Sequence, residues 1–355
     1  MSSEIKKAQE SEWLDKNLPK YNMLKESALS VINNLLVQKN IDFLSIYGRV
    51  KDKQSCLEKI ERKKYQSIIE QMTDLSGIRI IVYFESDVVK VGELVREVFN
   101  VDEDNSGDKI EALEKDKLGY RSVHYVCEFD VKRCLLPEFK DLGGLKFEIQ
   151  IRTVLQHAWA ELAHDRGYKF SGKLPLKLER KLNLYSGMLE LADNGFDEIS
   201  KEITKYKDEL DAKSQEDIYN VRLDSISIKS FVNKWCEDNK ISLINPPVVM
   251  SSLSELLNEL ESVGVFLIVD LKNIIPENYV ELYNSGLIRK TNIFGLVRDW
   301  IILYDHKRLL NNCDIKWVVV NQSIEDYKTI AGQEKGEEIF RDFEDFDKYV
   351  DESTT

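Results

Sequence analysis

Cysteine is scarce in this sequence of 355 residues, and long apolar runs are absent. The five cysteines are scattered and odd in number, without a CxxC pair, which disfavours both a disulfide framework and a zinc site. No stretch approaches the roughly 18 consecutive apolar residues that a membrane span requires, and charged residues occur throughout the N-terminal segment. We therefore expect a cytoplasmic protein with reduced thiols, no signal peptide and no membrane anchor.

Positive charge is also in deficit, since 50 Lys and Arg face 63 Asp and Glu. The net charge of -13 disfavours non-specific coating of nucleic acid, which depends on surplus cationic side chains. Residues 46–64 are the local exception, with seven Lys or Arg against three acids, whereas residues 337–352 hold eight acids against two basic residues. A phosphate site is therefore expected in the basic segment.

The length, with 43% hydrophobic residues, fits two domains, and we place the boundary near the linker-like segment KSQEDIYN that starts at Lys213. Residues 1–215 alternate between helical and strand patterns. Residues 216–355 are mainly helical in pattern, with FLIVD and KWVVV as candidate short strands, and form an accessory domain without a motif. The series Phe340, Phe343, Phe346 and Tyr349 predicts a docked amphipathic helix.

Period-two alternation marks the most informative strand, residues 145–151. It places Phe147, Ile149 and Ile151 on one face, and the other face carries Lys146, Glu148, Gln150 and Arg152. Such an ordered polar row predicts the wall of a site. Further strands are predicted at residues 42–50, 77–84 and 121–129, and helices at 13–38, 87–99, 153–164 and 174–210. Ser55 and Glu58 have capping-box spacing, which predicts a helix from Cys56 to about Met72.

The first domain contains the side chains that polyphosphate chemistry needs. Arg49, Lys51 and Lys59 surround a predicted helix start, whose free amides also favour phosphate. Asp74 precedes a buried strand and Glu148 lies on a polar strand face, and carboxylates of this kind hold magnesium. Cations, metal ligands and a base are the requirements of phosphoryl-group transfer.

Four segments, in this order and with compatible gaps, resemble the RelA/SpoT-type alarmone synthetase domain: SIYGRVKDKQSCLEK, DLSGIRIIVYF, GYRSVHYV and FEIQIRTVLQHAWAELAHDRGYK. The resemblance extends over roughly residues 21–211. It implies an α+β fold, a mixed β-sheet flanked by helices and nucleotidyltransferase-like, followed here by the mainly helical C-terminal domain. It also implies a pyrophosphokinase that transfers pyrophosphate from ATP to the 3′-oxygen of GDP or GTP, making (p)ppGpp.

The resemblance assigns roles to matching positions. Arg49, Lys51, Lys59 and Arg79 match positions that bind ATP. Asp74 matches the ligand of Mg²⁺, and Glu148 matches the carboxylate that activates the 3′-hydroxyl and helps to hold the metal. Tyr120 matches the aromatic residue that stacks on the acceptor base, and the neighbouring acceptor positions are His124, Gln150 and Arg152.

The sequence departs from the guanosine-accepting pattern before Tyr120, where a lysine and an asparagine are usual and Asp116 and Leu118 stand instead. Lys115 and Lys117 offer shifted replacements. The departure keeps a second hypothesis open, in which the acceptor is the 3′ end of tRNA, as in toxic relatives whose C-terminal domain restrains them. Residues 216–355 would then contact and cover the basic ATP face. Assembly into a homo-oligomer also stays open.

Structural explanations compete with each functional one. The basic segment is also typical of a solvated helix face, Asp74 of a turn, and Tyr120 and His124 of half-buried strand positions. A third hypothesis is an inactive module that senses nucleotides, although the two carboxylates disfavour it. The pair His164 and Asp165 lacks the further histidines of a metal-dependent phosphohydrolase, so we expect no hydrolase activity.

Overall fold

The computed structural model describes residues 3–65, 67–108, 122–169, 175–245 and 252–350. Contacts divide the chain into two compact units, Met1–Lys201 and Glu202–Thr355. The predicted boundary at residues 215 and 216 stays a prediction. Within the described ranges, no helix is long and apolar enough to cross a membrane.

Helices and strands alternate over the first 212 residues. The elements are α1 (Ser3–Gln38), β1 (Phe43–Val50), α2 (Lys53–Lys63), α3 (Ile68–Gln71), β2 (Ser76–Val82), α4 (Glu85–Val98), β3 (Asn100–Asp108), β4 (Val123–Glu128), β5 (Phe147–Thr153), α5 (Val154–Lys169) and α6 (Leu176–Ala212). Two short 3₁₀ turns, Arg133–Leu135 and Lys140–Leu142, lie between β4 and β5. The predicted helices and strands of this part are present, with ends that shift by a few residues; α1 begins earlier than predicted.

A mixed sheet organises the first unit, in the strand order β1-β2-β5-β4-β3. β2 and β5 are parallel, and the other neighbouring pairs are antiparallel. The predicted mixed sheet flanked by helices is therefore confirmed. β3 was not predicted, because its sequence NVDEDNSGD is typical of a turn. Among the described strands it pairs with β4 alone, and an edge strand tolerates polar residues.

The apolar face of the sheet forms the core of the first unit. Phe147, Ile149 and Ile151 of β5 are completely buried, as the alternation predicts. Phe147 packs edge-on against Phe99, with ring centroids 5.4 Å apart, and also contacts the ring of Phe129. Burying one such side chain stabilises a fold by about 1.5–3 kcal/mol, so this face fixes the register of β5. Register in turn fixes which residues face the opposite side.

The N-terminus of α2 corrects the predicted cap. Asp52, not Ser55, is the N-cap, because its carboxylate accepts a hydrogen bond from the backbone N–H of Ser55 at 2.9 Å. The Ser55 hydroxyl donates to the same carboxylate at 2.7 Å. The helix also ends before the predicted Met72, since Lys64 adopts a left-handed conformation with φ 55°.

The second unit is mainly helical, as predicted. The elements after α6 are α7 (Gln215–Tyr219), α8 (Ser225–Asp238), α9 (Leu253–Ser262), α10 (Ile268–Asn273), α11 (Tyr279–Asn284), α12 (Ile293–Asn312), β6 (Val319–Val320), α13 (Asn321–Ala331), α14 (Gln333–Asp345) and β7 (Tyr349–Val350). The candidate strand FLIVD is wrong, because its last three residues begin α10; its five-residue apolar run fits either structure. KWVVV does contribute β6. The linker-like segment after Lys213 contains α7.

Buried charges pair within the second unit. Arg298 donates to both oxygens of Glu259, at 2.8 Å and 2.7 Å, and the indole of Trp317 also donates to Glu259. Arg289 similarly contacts the buried carboxylate of Asp299 at 2.9 Å. A buried charge without a partner would cost several kcal/mol, so these pairs tie helices together at fixed positions. None of them was identifiable as a motif in the sequence.

The predicted aromatic helix is confirmed only in part. Phe343 of α14 is completely buried, and Phe340 packs against the same core. Phe346 is the C-cap of α14 and is 46% exposed, and Tyr349 belongs to β7. The helix ends before the series does, because a spacing of three residues does not indicate where a helix terminates.

Candidate active site

Strand register builds a polar row on the face of the sheet opposite the apolar core. Arg79 of β2 lies beside Gln150 of β5, and Gln150 lies beside His124 of β4. Tyr47 of β1 completes the row, opposite Arg79. Glu148 precedes Gln150 by two residues and therefore faces the same side. The predicted separation of polar and apolar faces is confirmed by the alternating burial along β5.

The antiparallel pairing of β1 and β2 brings Lys51 close to Asp74. Val50 at the end of β1 pairs with Ser76 at the start of β2. The backbone N–H of Lys51 donates to the carbonyl of Leu75 at 2.9 Å, which extends this pairing beyond the strands. The residues that flank the two strands therefore meet at one end of the sheet.

Asp74 accepts hydrogen bonds from the ammonium groups of two lysines. Its Oδ2 lies 2.7 Å from Nζ of Lys51 and 2.6 Å from Nζ of Lys59. Burial raises the pKa of Asp74, but the hydrogen bonds from Lys51 and Lys59 outweigh burial and lower the pKa below its ordinary value. The other oxygen, Oδ1, is buried and has no hydrogen-bond partner among the described residues. Asp74 is thus an ionised carboxylate with an unused oxygen.

The carboxylate of Glu148 is held at both oxygens. Oε1 lies 2.5 Å from Nδ1 of His124, whose residue is 6% exposed. Nε2 of Gln150 donates to Oε2 at 3.0 Å, and Arg152 in turn donates to Oε1 of Gln150 at 3.3 Å. A chain of strand side chains therefore fixes the orientation of Glu148.

A cavity of about 230 Å³ joins the two carboxylates, and both Asp74 and Glu148 line it. Its remaining walls are Tyr47, Arg49, Lys51, Gly77, Ile78, Arg79 and Gln150. The cavity brings together six of the ten residues that the sequence nominates for the site. Three guanidinium or ammonium groups face two carboxylates there, which gives the cavity a local surplus of cations in an acidic protein.

Arg79 has partners that the sequence did not identify. Its Nη1 lies 2.8 Å from the hydroxyl of Tyr47 and 2.7 Å from Oε1 of Glu161 on α5. The guanidinium also lies 5.6 Å from the centre of the Tyr47 ring. Tyr47 was accessible to prediction, because it precedes Arg49 by two residues in a strand and so shares its face. Glu161 was not, since only tertiary packing brings α5 near β2.

Four nominated residues do not line the cavity. Lys59 contacts Asp74, His124 contacts Glu148, and Arg152 contacts Gln150, so each adjoins the cavity through one lining residue. Tyr120 lies outside the described residues. Lys115, Asp116, Lys117 and Leu118 also lie outside the described residues. His164 and Asp165 belong to α5, but their side chains are not among those described.

The donor set fits magnesium bound together with a polyphosphate. Mg²⁺ prefers oxygen ligands and takes one or two carboxylates plus substrate phosphates rather than an all-protein cage. The buried Oδ1 of Asp74, which has no hydrogen-bond partner, is an oxygen of this kind. Glu148 lines the same cavity, and its carboxylate is a second oxygen donor of the kind that Mg²⁺ prefers.

Comparison with known proteins identifies relatives of this chain. A family model described as a region found in RelA / SpoT proteins matches residues 48–173. GTP pyrophosphokinase YjbM of Bacillus subtilis (strain 168) is 35% identical over 169 residues, which are 46% of this chain and 74% of that protein. GTP pyrophosphokinase YwaC of the same organism is 30% identical over 160 residues, 44% of this chain and 73% of that protein.

Among solved structures, the crystal structure of the small alarmone synthetase 1 from Bacillus subtilis matches with 30% sequence identity and a TM-score of 0.45. The match covers 55% of this chain and 98% of that one.

Proposed function

The chain belongs to the RelA/SpoT family of pyrophosphokinases, and we propose that it transfers the β,γ-pyrophosphate of ATP to the ribose 3′-hydroxyl of GDP or GTP. One observation carries the proposal: Asp74 and Glu148, 74 residues apart in sequence, line the same cavity together with Arg49, Lys51 and Arg79. A base, metal ligands and phosphate-binding cations are the parts that phosphoryl-group transfer requires. The relatives named above, both GTP pyrophosphokinases, support the same class of acceptor.

The cations would bind the triphosphate. Lys51 and Lys59 both contact Asp74, so two ammonium groups are concentrated where the phosphates would lie. Arg49 and Arg79 line the cavity with Lys51 and present planar guanidinium groups, which bind phosphate in a bidentate manner. Because the cations converge from three different elements, a bound triphosphate would be held in one orientation, which favours reaction by proximity.

Asp74 and Glu148 would hold Mg²⁺ together with oxygens of the triphosphate. When bound, the ion supplies charge neutralisation at the phosphates. The lysines that now contact Asp74 would then turn to the phosphates, because an ammonium group and a divalent cation compete for the same carboxylate. Binding of the metal and release of the two lysines are therefore coupled in this proposal.

Glu148 would act as the general base. As the 3′-oxygen attacks the β-phosphorus, its O–H bond breaks and the proton passes to the Glu148 carboxylate. The bond from the β-phosphorus to the oxygen that bridges the α- and β-phosphates breaks, and AMP leaves with that oxygen. Hydrogen bonds from His124 and Gln150 keep the carboxylate oriented, and a positioned base of this kind typically accelerates proton transfer about 10²–10⁴-fold.

The acceptor is tested by incubating the purified full-length chain with γ-labelled ATP, Mg²⁺ and one of GDP, GTP or deacylated tRNA. We expect the label on GDP or GTP, with unlabelled AMP as the second product. Label on tRNA alone would establish the tRNA hypothesis instead, for which the residues Asp116 and Leu118 are the sequence argument. Label on no acceptor would leave a nucleotide-sensing module. These substrates imply a cytoplasmic enzyme.

Residues 216–355 are proposed to restrain the enzyme. Their acidic C-terminal segment is complementary in charge to the basic segment at residues 46–64. Removal of residues 216–355 should raise turnover or toxicity, and unchanged turnover would argue against restraint.

A further inference from the structure

Both ring nitrogens of His124 are engaged by the protein itself. Nδ1 lies 2.5 Å from Oε1 of Glu148, and Nε2 lies 2.6 Å from the hydroxyl oxygen of Ser122. Ser122 directly precedes β4 and lies two residues before His124, so both side chains face the polar side of the sheet. His124 pairs with Gln150 across the strands and is therefore the diagonal neighbour of Glu148. Three side chains thus form one chain of hydrogen bonds.

The chemistry of the three groups fixes the direction of these bonds. An ionised carboxylate only accepts hydrogen bonds, so Nδ1 of His124 must carry the proton that lies between it and Glu148. In neutral imidazole the second nitrogen is then an acceptor. A serine hydroxyl can donate, so Ser122 donates to Nε2. The carboxylate of Glu148 therefore selects the Nδ1–H tautomer, and the hydroxyl of Ser122 supports that tautomer by donating to Nε2.

We propose that Ser122 and His124 are positioning residues that act through Glu148, in the order Ser122 to His124 to Glu148. The inference rests on the proposed function of Glu148 as the base that accepts the 3′-hydroxyl proton. It changes the role that the family resemblance implies for His124, because neither ring nitrogen is available to contact an acceptor. Ser122 gains a role that the sequence did not indicate.

Burial explains why the chain of hydrogen bonds is effective. His124 is 6% exposed, so water competes weakly for its ring nitrogens. With Gln150 donating to Oε2 at 3.0 Å, each oxygen of Glu148 has a donor of its own and the carboxylate has little freedom to rotate. The oxygens thus keep the orientation in which they line the cavity.

Two amide substitutions separate the two ring nitrogens. The side-chain nitrogen of asparagine lies near the position of Nδ1, whereas that of glutamine reaches the position of Nε2. We expect His124→Asn to keep kcat within about 10-fold of the wild type, because the donor to Glu148 is retained. His124→Gln should lower kcat by about 10- to 100-fold, as is usual when the partner that orients a catalytic ligand is lost, with the acceptor KM unchanged in both.

Thermal unfolding and ATP affinity are measured for both variants, and values close to those of the wild type show that a variant is folded. If both variants are folded, an equal loss of kcat in the two would overturn the inference, and so would a larger loss in His124→Asn than in His124→Gln. An effect confined to the acceptor KM would also overturn it. A histidine that contacts the acceptor through Nε2 would be mimicked by glutamine and not by asparagine.

A measurement without turnover distinguishes this inference from the proposed function. The ¹⁵N chemical shifts of the histidine ring report which nitrogen carries the proton, and the His124→Asn variant identifies the resonances of His124 among the four histidines. We expect the Nδ1–H tautomer in the resting enzyme. An Nε2–H tautomer would overturn the inference even if the enzyme is active. If the Nδ1–H tautomer is found but no acceptor is labelled, the proposed function fails and the hydrogen-bond chain stands.

Discussion

Nζ of Lys59 lies 2.6 Å from Oδ2 of Asp74, so a predicted phosphate ligand and a predicted metal ligand contact each other in the free protein. Lys51 contacts the same oxygen at 2.7 Å. Both lysines have side chains that are 20% exposed, and neither is far enough from Asp74 to bind phosphate independently of it. Nucleotide and metal should therefore affect one another's binding through this contact.

The substitution Asp74→Asn tests that coupling by ATP affinity alone. In the wild type we expect Mg²⁺ to increase ATP affinity, because under the proposed function the metal would replace the lysines at Asp74. In the variant the ammonium groups lack an ionised partner, so ATP should bind at least as tightly without Mg²⁺ and gain little when Mg²⁺ is added. Calorimetric titration with Mg²⁺ and with a chelator measures both effects.

The matched control is Asp15→Asn, which removes the exposed carboxylate that pairs with Lys53 at 2.6 Å. It should leave the response to Mg²⁺ unchanged. A full response to Mg²⁺ in Asp74→Asn would remove Asp74 from the metal site.

Glu161 contacts Arg79 at 2.7 Å, so we expect its carboxylate to compete with phosphate for the guanidinium. The Glu161 side chain is 59% exposed, and an exposed pair of this kind contributes roughly 0.2–1 kcal/mol. Glu161→Gln should therefore tighten ATP binding by up to about 5-fold, again measured by calorimetry. Glu103→Gln, which removes the comparable exposed pair with Arg96, should have no effect. Weaker ATP binding in Glu161→Gln would show that Glu161 positions Arg79 and does not compete for it.

The alternation in residues 145–151 was sufficient to predict which side chains of β5 face the site, because one face had to be buried. The positions of Asp74 and Lys51 at one end of the sheet follow from the pairing of β1 with β2, which local pattern does not specify. Contacts made by side chains from distant elements, such as Glu161 with Arg79, were not predictable. Pattern places a residue on a face, whereas tertiary packing decides its partner.

The predicted and observed structures also differ at the N-cap of α2, at β3 and at α10, where the local sequence is compatible with more than one structure. Asp52 and Ser55 are both good caps, and the choice between them depends on which backbone conformation the end of β1 imposes. β3 is polar, although strands are usually rich in β-branched and aromatic residues, because it is an edge strand. α10 begins with apolar residues that favour a strand, but these residues are buried in a short helix.

The cysteines should differ in reactivity according to burial. All five are free, and burial raises the pKa of Cys56 and of Cys236 to about 11. Cys134 and Cys313 are half-buried. Since the thiolate is the reactive form, we expect Cys134 and Cys313 to react with iodoacetamide at pH 7.5 before Cys56 and Cys236, as followed by peptide mass spectrometry. In urea the chain is unfolded, so the difference in labelling rate between these cysteines should disappear. Earlier labelling of Cys56 or Cys236 in the native protein would contradict their buried placement.

His306 should make the second unit sensitive to acid. Burial lowers the pKa of His306 below its ordinary value, although the hydrogen bond to Asp342 at 2.8 Å raises it. The folded chain therefore takes up this proton less readily than the unfolded chain, whose histidine has a pKa of about 6.5. The stability contributed by neutral His306 is complete above about pH 6.5 and is lost as the pH falls through the lower folded pKa.

The predicted loss of stability on protonation of His306 is tested by calorimetric Tm values of the wild type and His306→Gln at pH 7.5 and pH 5.5. The wild type should lose more Tm between the two pH values than the variant, even if the variant is less stable at both. One proton changes the free energy of unfolding by at most about 1.4 kcal/mol per pH unit, so the difference should be a few degrees. An equal decrease in both proteins would show that His306 is not the titrating group.

The most direct test of the central claim is the single-turnover rate of pyrophosphate transfer in Glu148→Gln at saturating ATP. Glutamine keeps the shape of the side chain but cannot accept the proton, so we predict a rate lower by about 10²–10⁴-fold, with ATP affinity retained. The same substitution at Glu103, outside the cavity, should leave the rate unchanged. A Glu148→Gln rate within a few-fold of the wild type would contradict the assignment of Glu148 as the base and with it the proposed mechanism.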